Sequence, residues 1–206
     1  ATDSHKELPV VDAGIQRLRE TEFPPFQQAI RQGVASLMTA HVLYRALDPD
    51  APATLSPAVI QRLLREEFRY DGVVFTDDLE MHAIIDHDGI GEAAVRSFVA
   101  GCDVLLICKD QDRVMTAMQA MERAVQNGRI TQERLEQSLA RVARLKARYL
   151  IPYKPVTISD ARLVVGCRSH KVLLDSWHKA YARLPSSKVS EHDEPAAALD
   201  SPVTHV

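Results

Sequence analysis

Apolar residues fall into two rhythms along this chain. Three short, nearly continuous runs at 34–40, 73–76 and 104–108 have the length and β-branched content of strands buried on both faces. Around them, apolar positions recur at three- and four-residue spacing, which predicts amphipathic helices. Residues 24–32 read as one such helix: Pro24 and Pro25 fall in its first turn and Gly33 follows its last. Ser56-Pro57 supplies an N-cap and a proline at the first helical position, ahead of the stripe Ile60, Leu63, Leu64 and Phe68. Residues 92–100 predict a helix stopped at Gly101. Two longer helices follow at 111–126 and 131–150, separated by Asn127-Gly128. Met115, Met118 and Met121 fall at helical spacing and are expected in the core.

Beyond Leu150 the pattern weakens. Residues 151–157 hold two prolines and read as an extended connection. Residues 170–183 form a last candidate helix carrying Val172, Leu173 and Trp177. Ser, Pro, Glu, Asp and Ala dominate 185–206, so that tail is expected to be disordered and the folded domain to occupy 1–184.

Helix and strand thus alternate three times before the closing helices. This order predicts an α/β fold with a parallel sheet covered on both faces. Only three strands are visible, with room for no more. At about 35 residues per unit, a closed eight-unit barrel needs about 250 residues, and the chain has 206. The pattern fits either a small open sheet or the last part of a barrel. The start, Ala-Thr-Asp-Ser-His, lacks an initiator Met, a basic segment and an apolar stretch. It is expected to lie inside a larger fold.

Composition narrows the function classes. Hydrophobic residues make up 46% and charged residues 26%, with a formal net charge of −3. No basic excess points to nucleic acid, and no apolar run reaches the length of a membrane span. A small or neutral ligand is expected. Cys102, Cys108 and Cys167 show no Cys-x-x-Cys spacing and read as free thiols in a reducing cytoplasm.

Candidate chemistry is sought where parallel sheets collect it, at the C-terminal strand ends. That rule selects Thr39 and His41, then Asp77 and Asp78, then Lys109 and Asp110. Asp77 is the sharpest of these. A carboxylate held on rigid strand backbone is what attack on an anomeric carbon requires. Asp3-Ser4-His5 is a second cluster. A carboxylate bonded to one imidazole nitrogen fixes the tautomer and raises the basicity of the other, giving a proton shuttle near neutral pH. His82 and His87 stand near Asp86 and Asp88, but their spacing matches no standard metal motif.

Several motifs then occur in order: Asp-Ser-His-Lys-Glu-Leu-Pro at 3–9, Leu-Met-Thr-Ala-His-Val at 37–42, Leu-Leu-Arg at 63–65, Gly-Val-Val-Phe-Thr-Asp-Asp-Leu-Glu-Met at 72–81, and Ala-Gly-Cys-Asp-Val-Leu-Leu-Ile-Cys at 100–108. Together they resemble glycoside hydrolase family 3, in particular its bacterial β-N-acetylglucosaminidases of peptidoglycan recycling. The resemblance implies a (β/α)₈ TIM barrel of which this chain carries about strands 6–8 with their helices, strands 1–5 being absent. It implies that Asp77 is the nucleophile of a retaining mechanism, and that His5, oriented by Asp3, is the acid/base. His41 and Met81 are expected to bind substrate. The implied partner is a carbohydrate, an N-acetylglucosaminyl-anhydro-muropeptide in the cytoplasm, with no metal or other cofactor, no nucleic acid and no membrane. A Lys-His-Phe-Pro-Gly-His-Gly run that leads into the Asp-x-His loop in the family is not in this chain. Low or no activity of the chain alone is therefore expected, with a missing N-terminal half of the barrel as a further partner. Glu80 stands where the subgroup usually has a small Ser, which is expected to put a charge near the nucleophile.

Two other readings stand beside this one. The chain could be a non-catalytic remnant or half of a split barrel. It could also be a phosphoacceptor receiver-like domain, since Asp77 and Lys109 imitate that pair; yet no earlier strand ends in an acidic pair, and Lys109 is followed by Asp110, not Pro.

Overall fold

A computed structural model describes residues 8–181. The expected disordered tail at 185–206, and the Asp3 and His5 cluster, lie outside those residues. Close contacts group the chain into two units, one up to Pro152 and one from Tyr153.

The first unit is α/β with parallel sheets. Its main sheet has three strands, β2 (Ser36–Met38), β4 (Val73–Asp78) and β5 (Val104–Leu106), in the order β2-β4-β5. These are the three apolar runs of the sequence. A second, smaller sheet pairs β1 (Val10–Val11) with β3 (Leu43–Tyr44), again in parallel. The expectation of three strands and no more is corrected by this pair, which is too short to leave a periodic signal.

The first helical stretch runs through α1 (Ile15–Arg17), a π-helical turn (Leu18–Glu22) and α2 (Phe23–Arg31). Gly33, at φ 75°, ends it. Ser56 caps the next helical segment as expected: its hydroxyl accepts the Val59 N–H at 3.2 Å. That segment, Ala58–Glu67, is π-helical, and Phe68 N–H reaches back five residues to the Leu63 carbonyl. α3 (His82–Ala100) begins ten residues earlier than its predicted start. Gly89, at φ 68°, breaks its helical geometry, and the polar stretch before it hid the first half. An Arg96–Asp88 ion pair spans that break.

α4 (Gln111–Gln126) and α5 (Gln132–Tyr149) match their predictions. Asp110 and Thr131 cap them through their side-chain oxygens. The methionine expectation is corrected in part. Ala117, Met121 and Ala124 form the packed face of α4, whereas Met115 and Met118 are 51% and 59% exposed. The second unit holds α6 (Ile158–Val164), a helix that starts directly after the stretch expected to be extended and was not predicted, and α7 (Arg168–Tyr181).

The core lies between the sheet and its helices. Val74 of β4 packs with Ile60, Tyr70, Ala100 and Cys102. Leu79, Ile84, Ile90, Ala93 and Ala94 form a second cluster under α3 and α4. Leu105 of β5 touches both. Gly101 lets α3 end against this core: it sits at φ 125°, and a Cβ there would lie 2.7 Å from Ile60 Cγ2.

The N-terminal ends of the strands are fastened by Asp103, whose side chain is fully buried. It accepts from Arg65 at 2.7 Å and from the Val74 N–H at 3.0 Å through one oxygen. Through the other it accepts from Ser138 at 2.6 Å and Arg141 at 3.3 Å. These bonds tie the start of β5 to β4, α5 and the helical segment before β4, so the sheet rests on a closed polar hub.

Candidate active site

The parallel register carries β2, β4 and β5 to one common end. Met38 pairs with Phe75, and the Thr39 N–H continues the ladder to the Phe75 carbonyl at 2.9 Å. Side chains alternate along β4. Val74 and Thr76 are fully buried, while Phe75 and Asp77 take the opposite face and are half-buried. Thr76 adds a side-chain rung to the sheet, its hydroxyl accepting the Leu106 N–H at 2.9 Å. This coincides with a register irregularity between Phe75 and Asp78.

Asp77 therefore leaves the core on backbone held from both sides. Its Oδ1 accepts the Asp78 N–H at 2.8 Å. Asp78 turns its own Oδ1 to the Glu80 N–H at 3.1 Å. Its carbonyl accepts the Met81 N–H at 3.1 Å and His41 Nε2–H at 2.9 Å. The two adjacent carboxylates thus face different partners.

His41 is buried, only 1% exposed. Burial pushes its pKa below the ordinary value, against the opposing pull of the Asp78 carbonyl and the two aspartates. The ring is then neutral near pH 7. A carbonyl can only accept, so the proton sits on Nε2, and Nδ1 accepts from the Thr54 hydroxyl at 2.8 Å. Thr54 in turn accepts from Thr39 at 2.9 Å. Both imidazole nitrogens are engaged within the protein. Met81 is 8% exposed and opens α3.

Glu80, three positions past Asp77, reaches the loop that follows β5. Its carboxylate accepts the backbone N–H groups of Lys109 and Asp110 at 2.6 and 3.2 Å, and the Arg113 guanidinium at 3.3 Å. An open cavity of about 410 Å³ lies alongside, between Asp78, Met81, Lys109 and Arg113. His82 bonds Asp86 at 3.0 Å on the exposed side of α3. Among the described residues no group of three or more His, Cys, Asp or Glu side chains could hold a metal ion.

A model of the glycosyl hydrolase family 3 N-terminal domain matches residues 1–145. This chain belongs to glycosyl hydrolase family 3. Among curated family relatives, β-hexosaminidase A of Pseudoalteromonas piscicida is 32% identical over 189 residues, covering 83% of this chain and 31% of that protein. A β-hexosaminidase of Neisseria gonorrhoeae is 38% identical over 112 residues, covering 54% of this chain and 31% of that protein. A family 3 β-N-acetylglucosaminidase structure from Paenibacillus superposes with a TM-score of 0.74 at 43% identity, covering 81% of this chain and 31% of that one. The β-N-acetylglucosaminidase structure from Thermotoga maritima gives 0.64 at 31% identity, covering 68% and 31%. The chain thus spans about a third of the length of these relatives.

The structure brings Asp77, Asp78, His41 and Met81 to one strand end. The His41–Thr54 bond and the Glu80 bonds were not legible in the sequence. Thr54 comes from a short turn (Ala53–Leu55) that no motif marks. Among the described residues no helix is long and apolar enough to cross a membrane.

Proposed function

We propose that this chain supplies the nucleophile of a retaining glycoside hydrolase acting on terminal β-linked N-acetylglucosamine. The observation that carries this reading is Asp77: a carboxylate at the end of the central strand of a parallel sheet, on the strand face opposite the buried Val74 and Thr76, in a family 3 chain. The names of its β-hexosaminidase and β-N-acetylglucosaminidase relatives support the sugar. In this reading β2, β4 and β5 are the sixth, seventh and eighth strands of a (β/α)₈ barrel.

The chemistry has two displacements. Asp77 attacks the anomeric carbon as its bond to the leaving oxygen breaks, and His5 gives that oxygen a proton. Water then attacks the same carbon, returns a proton to His5 and releases Asp77. Two inversions give net retention. Asp3 orients His5; both roles rest on the family resemblance. His41 acts here as a positioning residue, since its two nitrogens hold Thr54 and the Asp78 carbonyl. Met81 supports the same corner from the start of α3. A cytoplasmic peptidoglycan fragment, an N-acetylglucosaminyl-anhydro-muropeptide, is the proposed physiological substrate.

A 5-fluoro-N-acetylglucosaminyl fluoride tests this. Peptide mapping of the chain, treated together with the proposed N-terminal half of the barrel, should place one glycosyl adduct on Asp77, absent in Asp77→Asn. No adduct, or one elsewhere, overturns the assignment. Release of N-acetylglucosamine from anhydro-muropeptides in preference to chitin oligomers tests the finer substrate.

A further inference from the structure

We propose that Glu80 is a positioning residue that latches the loop after the nucleophile strand onto the loop after β5. The inference rests on Asp77 being the nucleophile. Its basis is a chain of hydrogen bonds that reaches Asp77 from α4. Arg113, Lys109 and Asp110 donate to the Glu80 carboxylate. Glu80 donates its own N–H to Asp78 Oδ1, and Asp78 donates its N–H to Asp77 Oδ1. Every link is at most 3.3 Å long.

The Glu80 side chain is only 6% exposed, an unusual place for a carboxylate in a surface loop. It is kept there by three donors, two of them consecutive backbone amides just ahead of α4. Charge-assisted bonds of this kind are stronger than neutral ones. The positive end of the α4 macrodipole favours a carboxylate at the same point. Asp110 already caps that helix through Asp112 and Arg113, so Glu80 is not needed as its cap. What Glu80 adds is a crosslink between two loops, and the loop at its near end follows Asp78, the residue next to Asp77. A shorter side chain at this position would leave the Lys109 and Asp110 amides without this partner and free the Asp78 corner to shift.

Hydrogen exchange on the full 206-residue chain, with peptides covering 107–113, reads the latch directly. Glu80→Ser should speed exchange at the Lys109 and Asp110 amides by roughly tenfold. Glu80→Gln, which keeps an acceptor oxygen, should fall between Glu80→Ser and the unmodified chain. Arg113→Met should change these amides less than Glu80→Ser does. Unchanged exchange in Glu80→Ser overturns the latch. Kinetics of fluoro-sugar labelling read the positioning role. Glu80→Ser should lower the saturating rate of Asp77 labelling about tenfold with the half-saturating concentration unchanged. Faster exchange with an unchanged labelling rate overturns that role. If the unmodified chain takes no label even with the proposed N-terminal half of the barrel present, the nucleophile assignment falls and the positioning role falls with it, while exchange still decides whether the latch exists.

Discussion

His41 donates from Nε2 to the carbonyl of Asp78 at 2.9 Å, so a buried, neutral ring fixes the backbone beside the candidate nucleophile. His41→Ala leaves that carbonyl short of a partner and the Thr54 hydroxyl without its acceptor. The expected loss is about 2–3 kcal/mol of stability, read from urea unfolding near pH 7.

The same ring sets a pH dependence. Its folded pKa is depressed by burial below the ordinary 6.5. A histidine kept neutral in the fold contributes stability above the unfolded pKa, and that contribution fades as pH falls toward the folded value. Stability should decline from pH 7 toward pH 5, with a shallower slope in His41→Asn. An equal slope in both proteins, measured by urea midpoints across this range, assigns the titration to other groups.

Among the described residues Asp77 makes one short bond, to the next N–H, and its neighbouring carboxylate repels it. Asp77→Asn should therefore leave stability within about 0.5 kcal/mol while abolishing the glycosyl adduct. A large drop in unfolding midpoint would instead mark Asp77 as a structural carboxylate.

Asp103 contrasts with it. Asp103→Ala removes the shared acceptor of Arg65, Ser138 and Arg141 and leaves buried cations uncompensated. About 3–5 kcal/mol of destabilisation is expected, together with faster hydrogen exchange at Val74, whose N–H loses its acceptor.

The three thiols should separate in alkylation. Burial pushes Cys102 up to about 12. Desolvation, then the Asp78 carboxylate, raises Cys108, which is exposed. The Ser169 hydroxyl lowers Cys167. Mass mapping after brief iodoacetamide treatment should find Cys167 modified first, Cys108 later, and Cys102 only after unfolding.

The strands of the main sheet were legible as short continuous apolar runs, although their far face is only half-covered and Met38 is 57% exposed, and the helical segment after Ser56 because its cap stands in the sequence. The two-residue strands β1 and β3 carry too few positions for any period. π-helical turns shift the register of a 3.6-residue repeat and were invisible for that reason. Asp77 was legible because a carboxylate closing an apolar run marks the point where the chain leaves the core. The setting of His41 was hidden in a partner 13 positions away, and that of Glu80 in backbone amides 29 and 30 positions away. Charge at position 80 could be read from sequence; its direction depends on where the next strand returns.

The small β1–β3 ladder also acts as an anchor. Val10 is paired with Leu43, two positions past His41. The strand that opens the described chain is therefore fastened next to the histidine that steadies the nucleophile corner, so a pull on β1 is felt at that corner.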